Sequence, residues 1–306
     1  MSDNPLHAQY YADQASILRT RIVEQQWLAR DTVRIRFLAP SIAAQSIPGQ
    51  FVMLRLASCN DPLLARPLAV YDSSDDPQEG WVDLVYLVKG KFTQRLSKLP
   101  PGVPLDVWGP LGNGFATRPA GHLIMVAGGI GQTPFLTLAK QHRGLRSFGQ
   151  PAASVAPSER ITFLYGARSA DYLAGLEDFS QTGIELRIAT DDGSRGHQGF
   201  VTQLLEELLT EVKGLAPSPV AETADHANDG DPLRIACCGP EVMMEAVSQI
   251  AAAANVPCEV SLETPMACGI GICFTCVAKV KTADGEWDYK RTCVEGPIFS
   301  AQSLEW

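Results

Sequence analysis

Four cysteines constrain this chain more than any other feature. Cys268, Cys273 and Cys276 lie on one short stretch, Cys268-Gly269-Ile270-Gly271-Ile272-Cys273-Phe274-Thr275-Cys276, and Cys293 follows after sixteen intervening residues. Three thiolates in C-x4-C-x2-C spacing with a distant fourth form the ligand pattern of a plant-type 2Fe–2S cluster. The loop between them must wrap closely round inorganic sulfide. Gly269 and Gly271 allow that, because a residue without Cβ turns sharply and approaches without a clash. The loop amides can then point at sulfur and help set the potential. Four thiolates also suit tetrahedral zinc. Structural zinc sites, however, usually pair their cysteines as two short knuckles, and here three crowd one loop. The spacing therefore implies a chain that handles single electrons. Cys59, Cys237, Cys238 and Cys258 have no such spacing and read as small buried hydrophobes.

A length of 306 residues suggests two or three domains with sizeable cores. With 25 basic against 34 acidic residues the net charge is −9, and no basic patch is interleaved with aromatics, which argues against nucleic acid as the main partner. No apolar run approaches the length of a membrane span. The first residues are polar and lack the apolar core of a secretory signal. A cytoplasmic location is the expectation, and there disulfides are rare and reduced thiols can hold a cluster. The five histidines are scattered and outline no metal site.

The pattern divides the chain into four parts. Residues 1–20 read as a loose polar extension. Residues 21–118 carry short alternating strands at Arg21–Trp27, Thr32–Leu38, Phe51–Leu56, Pro67–Tyr71, Trp81–Val88 and Leu105–Trp108, with a short helix over Thr93–Leu99. Closely spaced strands of this kind predict a small antiparallel barrel. Residues 119–257 alternate buried strands (His122–Ala127, Ile161–Gly166, Glu185–Thr190, Arg234–Cys238) with helices (from Thr133, then Asp171–Phe179, Phe200–Leu209 and Val242–Ala254). That alternation predicts a parallel α/β sheet. Residues 258–306 form the cysteine-rich module. Two segments, Arg143–Glu159 and Val212–Asp231, are rich in Pro, Ala, Ser, Gly and charge and read as exposed insertions.

Two turns in the α/β part have the chemistry of a nucleotide site. After the strand ending at Ala127 come Gly128, Gly129 and Gly131, then Thr133-Pro134 at a helix start. Glycines let backbone approach a pyrophosphate, and a helix N-terminus supplies free amides. The strict G-x-G-x-x-G fingerprint is not met, since its third glycine position holds Pro134, and a merely tight turn is the alternative reading. Cys238-Gly239-Pro240 is a second strand-to-helix turn, where a thiol could face a nicotinamide. Met243 and Met244 behind it read as core. In the barrel, Arg66 at a strand entrance can pair with a phosphate or simply be solvated. The Lys89–Thr93 segment leads into a helix whose amides and Thr93 hydroxyl can face the same group. Arg168 and Ser169, past a strand end, can read a 2′-phosphate or be ordinary loop residues.

Taken in order, these motifs resemble the ferredoxin–NADP reductase superfamily. Arg66-Pro67-Leu68-Ala69 resembles its flavin box R-x-[YL]-[ST], although Ala69 lacks the usual hydroxyl. Gly128–Pro134 resembles its nicotinamide turn and Cys238-Gly239-Pro240 its C-G-P motif, while Phe92 stands where many relatives have glycine. Within it, the chain is similar to the electron-transfer subunit family of dihydroorotate dehydrogenase B over roughly residues 20–306. The likeness rests on the cysteine spacing, on Leu262-Glu263 and Met266, on Asp191-Asp192-Gly193-Ser194 with Gly199-Phe200-Val201, and on Cys293-x-x-Gly296-Pro297-x-Phe299. The resemblance implies FAD held by Arg66, Pro67, Leu68, Ala69, Val85, Tyr86, Leu87, Phe92 and Thr93. It implies NAD at Gly128, Gly129, Gly131, Thr133, Pro134, Cys238, Gly239 and Pro240. A 2Fe–2S cluster is implied on Cys268, Cys273, Cys276 and Cys293. It further implies an FMN-bearing catalytic subunit as partner, in a heterotetramer of two chains of each type, and a role in oxidising dihydroorotate to orotate. A reductase subunit of another redox system, with the same cofactors, is the alternative.

Overall fold

The computed structural model describes residues 12, 15–57, 59–74, 76, 78–213 and 231–306. The first elements are β1 (Ser16–Ala29), β2 (Thr32–Leu38), α1 (Pro40–Gln45), β3 (Phe51–Leu56), β4 (Arg66–Ser73), β5 (Trp81–Leu87), α2 (Lys91–Leu96) and β6 (Pro104–Leu111). The six strands close into an antiparallel barrel in the order β1-β2-β5-β4-β3-β6. Period-two alternation sends Ile35, Phe37, Val52, Leu54, Leu84, Tyr86 and Val107 inward to one core. Closure explains why β1 starts at Ser16, inside the segment expected to be loose. Its first half (Ser16–Arg21) pairs with β6 and its second with β2, so one long strand turns the corner and leaves no free edge. Polar composition hid this, because alternate residues of β1's first half face solvent.

The second unit follows with β7 (Ala120–Gly128), α3 (Phe135–His142), β8 (Arg160–Ala167), α4 (Leu176–Ser180), β9 (Glu185–Thr190), β10 (His197–Gln198), α5 (Val201–Lys213), β11 (Asp231–Cys238), α6 (Glu241–Ala253) and β12 (Cys258–Ser261). The chain ends with the hairpin β13 (Val277–Lys281) and β14 (Trp287–Arg291), then β15 (Ile298–Ser300). The sheet runs β10-β9-β8-β7-β11-β12-β15, parallel except for β15. Its central strands are buried on both faces, which accounts for their unbroken apolar runs.

Three expectations change. The cysteine-rich part is not a separate unit from 258. β12 and β15 belong to the nucleotide sheet, so Leu262–Pro297 is a loop and hairpin hung between two sheet strands. The helix expected over Asp171–Phe179 is broken into a 3-10 turn at Ala170–Tyr172 and the short α4. The break is at Gly175, where φ is +72° and an added Cβ would lie 2.4 Å from the Tyr71 hydroxyl. A barrel side chain therefore takes the space a continuous helix needs, and Tyr71 donates to Asp178 at 2.7 Å. Lastly, Arg143–Glu159 lacks helix but is not simply exposed. Phe148 and Val155 are buried, and Arg146 donates to the Ser73 and Ser74 carbonyls, strapping the segment to the barrel. Apart from its ends, the second insertion, Val212–Asp231, lies outside the described residues.

Candidate functional site: a crevice at the sheet's switch point and a thiol loop

The sheet changes direction between β7 and β11, with later strands laid down on either side. At such a switch point the loops beyond the strand ends diverge and leave a crevice for ligand. Both predicted turns stand there, touching each other. A Cβ on Gly131 would lie 2.3 Å from the Cys238 carbonyl oxygen, and one on Gly128 would meet Met243 Sδ and Pro240 at 2.7 Å. Gly129 is different: its φ is +56° and nothing lies within 4 Å of its Cβ direction, so its backbone is open to a ligand. Thr133 and Gln132 complete the turn, and both are buried. Neither amide atom of Gln132 has a partner. A fully buried amide left unsatisfied costs free energy unless something supplies its bonds, which marks a ligand-facing position.

The wall beyond β11 and β12 adds Glu263, which the motif reading did not assign to the site, to Cys238, which it did. Burial lifts the Cys238 thiol well above its ordinary range. Glu263 lifts it further, against a hydrogen bond with Ser261. Glu263 is open to solvent yet walled by protein, and burial raises its carboxyl above the usual range while Lys89 of the barrel opposes. Glu263 thus links electrostatically a thiol and a lysine from two distant segments. The sequence signal for Glu263 was only its place in the pre-cluster motif.

The barrel side is mixed. Pro67, Leu68 and Ala69 are half-buried along β4. Arg66 donates to the Leu64 and Ala65 carbonyls at 3.0 Å, with its guanidinium 5.8 Å from the centre of the Phe92 ring. Phe92 and Tyr86 are a correction: both side chains lie in the barrel core, and Tyr86 donates to Gln25. Only their backbone is available to a cofactor. Leu87 is half-buried, and Val85 packs in the cluster that joins barrel and sheet. The Thr93 hydroxyl accepts from the Lys89 and Gly90 amides at 3.0 and 3.2 Å. Those two donors are therefore engaged inside the turn.

The thiol loop is built against the barrel. Trp108 Nε1 donates to the Cys268 carbonyl at 3.0 Å, and Met53 and Leu111 fill the space beside Gly269. Cys276 and Cys293 are buried with Phe51, Met53 and Met266, while Cys273 is exposed. The sulfurs pair. Burial opposes ionisation of Cys273, but hydrogen bonds with Thr275 and Cys268 outweigh it and bring the thiol down to about 6. Cys276 is held at about 6 chiefly by its bond with Cys293, whose own thiol is pushed up by the same bond. Two facing pairs match a cluster with two thiolates on each of two irons. Among the described residues, no three histidines, cysteines or carboxylates converge as one ion would need.

Two family models match: an oxidoreductase FAD-binding domain over residues 19–115, and the iron–sulfur cluster binding domain of dihydroorotate dehydrogenase B over residues 263–305. The dihydroorotate dehydrogenase B (NAD(+)) electron transfer subunit of Desulforamulus reducens is 32% identical over 293 residues, covering 95% of this chain and 99% of that protein. The subunit of the same name from Bacillus caldolyticus is 34% identical, with 92% and 96% covered. A solved structure of an NADH-dependent reduced ferredoxin-NADP oxidoreductase, studied for flavin-based electron bifurcation, aligns with a TM-score of 0.71 at 30% identity. That alignment covers 94% of this chain and 90% of the other. A ferredoxin NADP+ reductase from Neisseria gonorrhoeae, at 14% identity and a TM-score of 0.57 over 78% of this chain and 92% of that one, shares the fold.

Proposed function

The chain belongs to the family of dihydroorotate dehydrogenase B electron transfer subunits, and from that membership we propose how its residues divide the work. It is an oxidoreductase subunit that uses FAD, an iron–sulfur cluster and NAD and works with a catalytic partner subunit in pyrimidine biosynthesis. FAD and the cluster, when bound, supply the conversion between electron pairs and single electrons. The chain's own residues bind and orient them. Cys268, Cys273, Cys276 and Cys293 hold the two irons. Arg66, Leu68 and Ala69, with the backbone of β5, receive the flavin. The open amide at Gly129, the orphan amide of Gln132 and the Cys238-Gly239-Pro240 turn receive the nicotinamide nucleotide. Glu263 and Cys238 line the cleft without an assigned proton step. The partner is an FMN-bearing subunit that oxidises dihydroorotate, assembled two plus two. Exposed Ile272, Phe274 and Cys273 make the loop's outer side the face through which electrons pass to it.

The paired thiols carry this reading, because they sit on a loop rooted in the same sheet as the nucleotide crevice. The test is an anaerobic spectrum of the purified chain before and after NADH. Bleaching of a flavin band with a rhombic EPR signal supports it, whereas a colourless protein containing zinc refutes it. The 30% identity to the NADH-dependent ferredoxin-NADP oxidoreductase favours a second reading, the same electron path with a different partner. Co-purification separates the two. An FMN protein that turns over dihydroorotate supports the first; a partner inert to dihydroorotate supports the second.

A further inference from the structure

Arg291 ends β14, two residues before Cys293, and is 8% exposed. Buried arginines are uncommon unless every donor has work, and this one reaches each segment that bears a ligand. Its Nη1 donates to the Gly271 carbonyl at 3.0 Å, between Cys268 and Cys273. Its guanidinium lies 5.1 Å from the ring centre of Phe274, between Cys273 and Cys276. Its Nε and its backbone amide both donate to Glu295, just past Cys293, at 3.2 and 2.7 Å.

The consequences for the loop are specific. Gly271 has φ +84° and Phe274 has φ +55°, a conformation that costs energy in a residue with a side chain. The cation over the Phe274 ring offsets that cost. Arg291 holds the Gly271 carbonyl, which lies in one plane with the Ile272 amide. Holding the carbonyl on the guanidinium therefore fixes the direction in which the Ile272 N–H points. Reduction adds one negative charge to the cluster, and a sulfur-directed amide or a fixed cation nearby favours that charge.

We propose that Arg291 is a positioning residue for the cluster, clamping Gly271, Phe274 and the Glu295 turn so that the loop amides and its own charge raise the cluster's reduction potential. The proposal rests on the four-cysteine assignment given above.

The experiment is an anaerobic redox titration of the full-length chain followed by EPR, with iron and acid-labile sulfide measured on each sample. Arg291→Lys keeps the charge but cannot span Gly271 and Glu295 together. Arg291→Met removes the charge as well. The midpoint should fall in the order wild type, Lys, Met. The Met variant should lose about tenfold in the reduction equilibrium, equivalent to about 59 mV for one electron, with altered g-values. Equal midpoints and line shapes in all three proteins, each with full iron, would overturn the proposal. Should the Met variant lose its iron, the Lys variant decides: a lower midpoint supports the clamp and an unchanged one overturns it. A wild-type chain without iron and sulfide would instead sink the cysteine assignment itself.

Discussion

The thiol loop and the nucleotide crevice are assembled by opposite means. Three of the loop's four cysteines fall within nine residues, and the fourth follows a single hairpin. Its chemistry is local. The crevice draws on residues near 89, 130, 238 and 263, which meet only because a barrel and a sheet pack together. A spacing rule can announce the first site. Only a fold can make the second. Substitutions in the loop should therefore remove one group cleanly, whereas those in the crevice should act partly through stability.

The sharpest test of the local site is Cys273→Ser. Iron should be lost essentially completely while FAD stays bound, read by iron analysis and flavin absorbance; unchanged iron would end the ligand assignment.

The next largest effect should come from acid. Burial, aided by Arg234, lowers His142 from 6.5 to about 4. Its Nε2 accepts from Arg234 at 2.9 Å, and Arg234 in turn donates to the Arg118 carbonyl in the segment that leaves the barrel. The unfolded chain binds the proton more readily, so this contribution is complete above about pH 6.5 and lost as pH falls toward about 4. The loss is up to about 3 kcal/mol. Urea unfolding between pH 7 and 4 should show that decline, and His142→Gln should flatten it; an equally steep decline in the variant would remove His142 from the account.

Gly131→Ala comes third. The added methyl meets the Cys238 carbonyl, so the two turns must part. Overpacking of this kind costs about 1–3 kcal/mol. NADH affinity and melting temperature should fall together, and a fall in neither would show that the turns are not held as described.

Arg66→Ala should be the mildest, weakening FAD retention by about tenfold, or about 1.4 kcal/mol. Flavin content after gel filtration measures it. Full occupancy would mean that the β5 backbone and β4 suffice.

Much of this architecture was legible in the chain. β2, β3 and β9 lie where alternation or apolar runs put them, because a side chain's face in a strand follows directly from its parity. Besides the short helix α1, several elements that were missed have distant partners. β12 and β15 are only four and three residues long and exist because a sheet edge offers them hydrogen bonds. Half of β1 exists because β6 closes the barrel on it. Tyr86 and Phe92 show the limit at the level of single residues: both side chains pack into the barrel core.

The sequence by itself determined the four-cysteine spacing, the barrel-then-sheet order and the two glycine turns. Each depends on neighbours a few residues away, where covalent geometry leaves little choice. Tertiary structure alone decided that the thiol loop hangs from the nucleotide sheet, that Glu263 comes within electrostatic reach of both Cys238 and Lys89, and that Arg291 closes over the loop. Those placements depend on burial and charge contacts between segments far apart in the chain, and such contacts come into being only when the chain has packed.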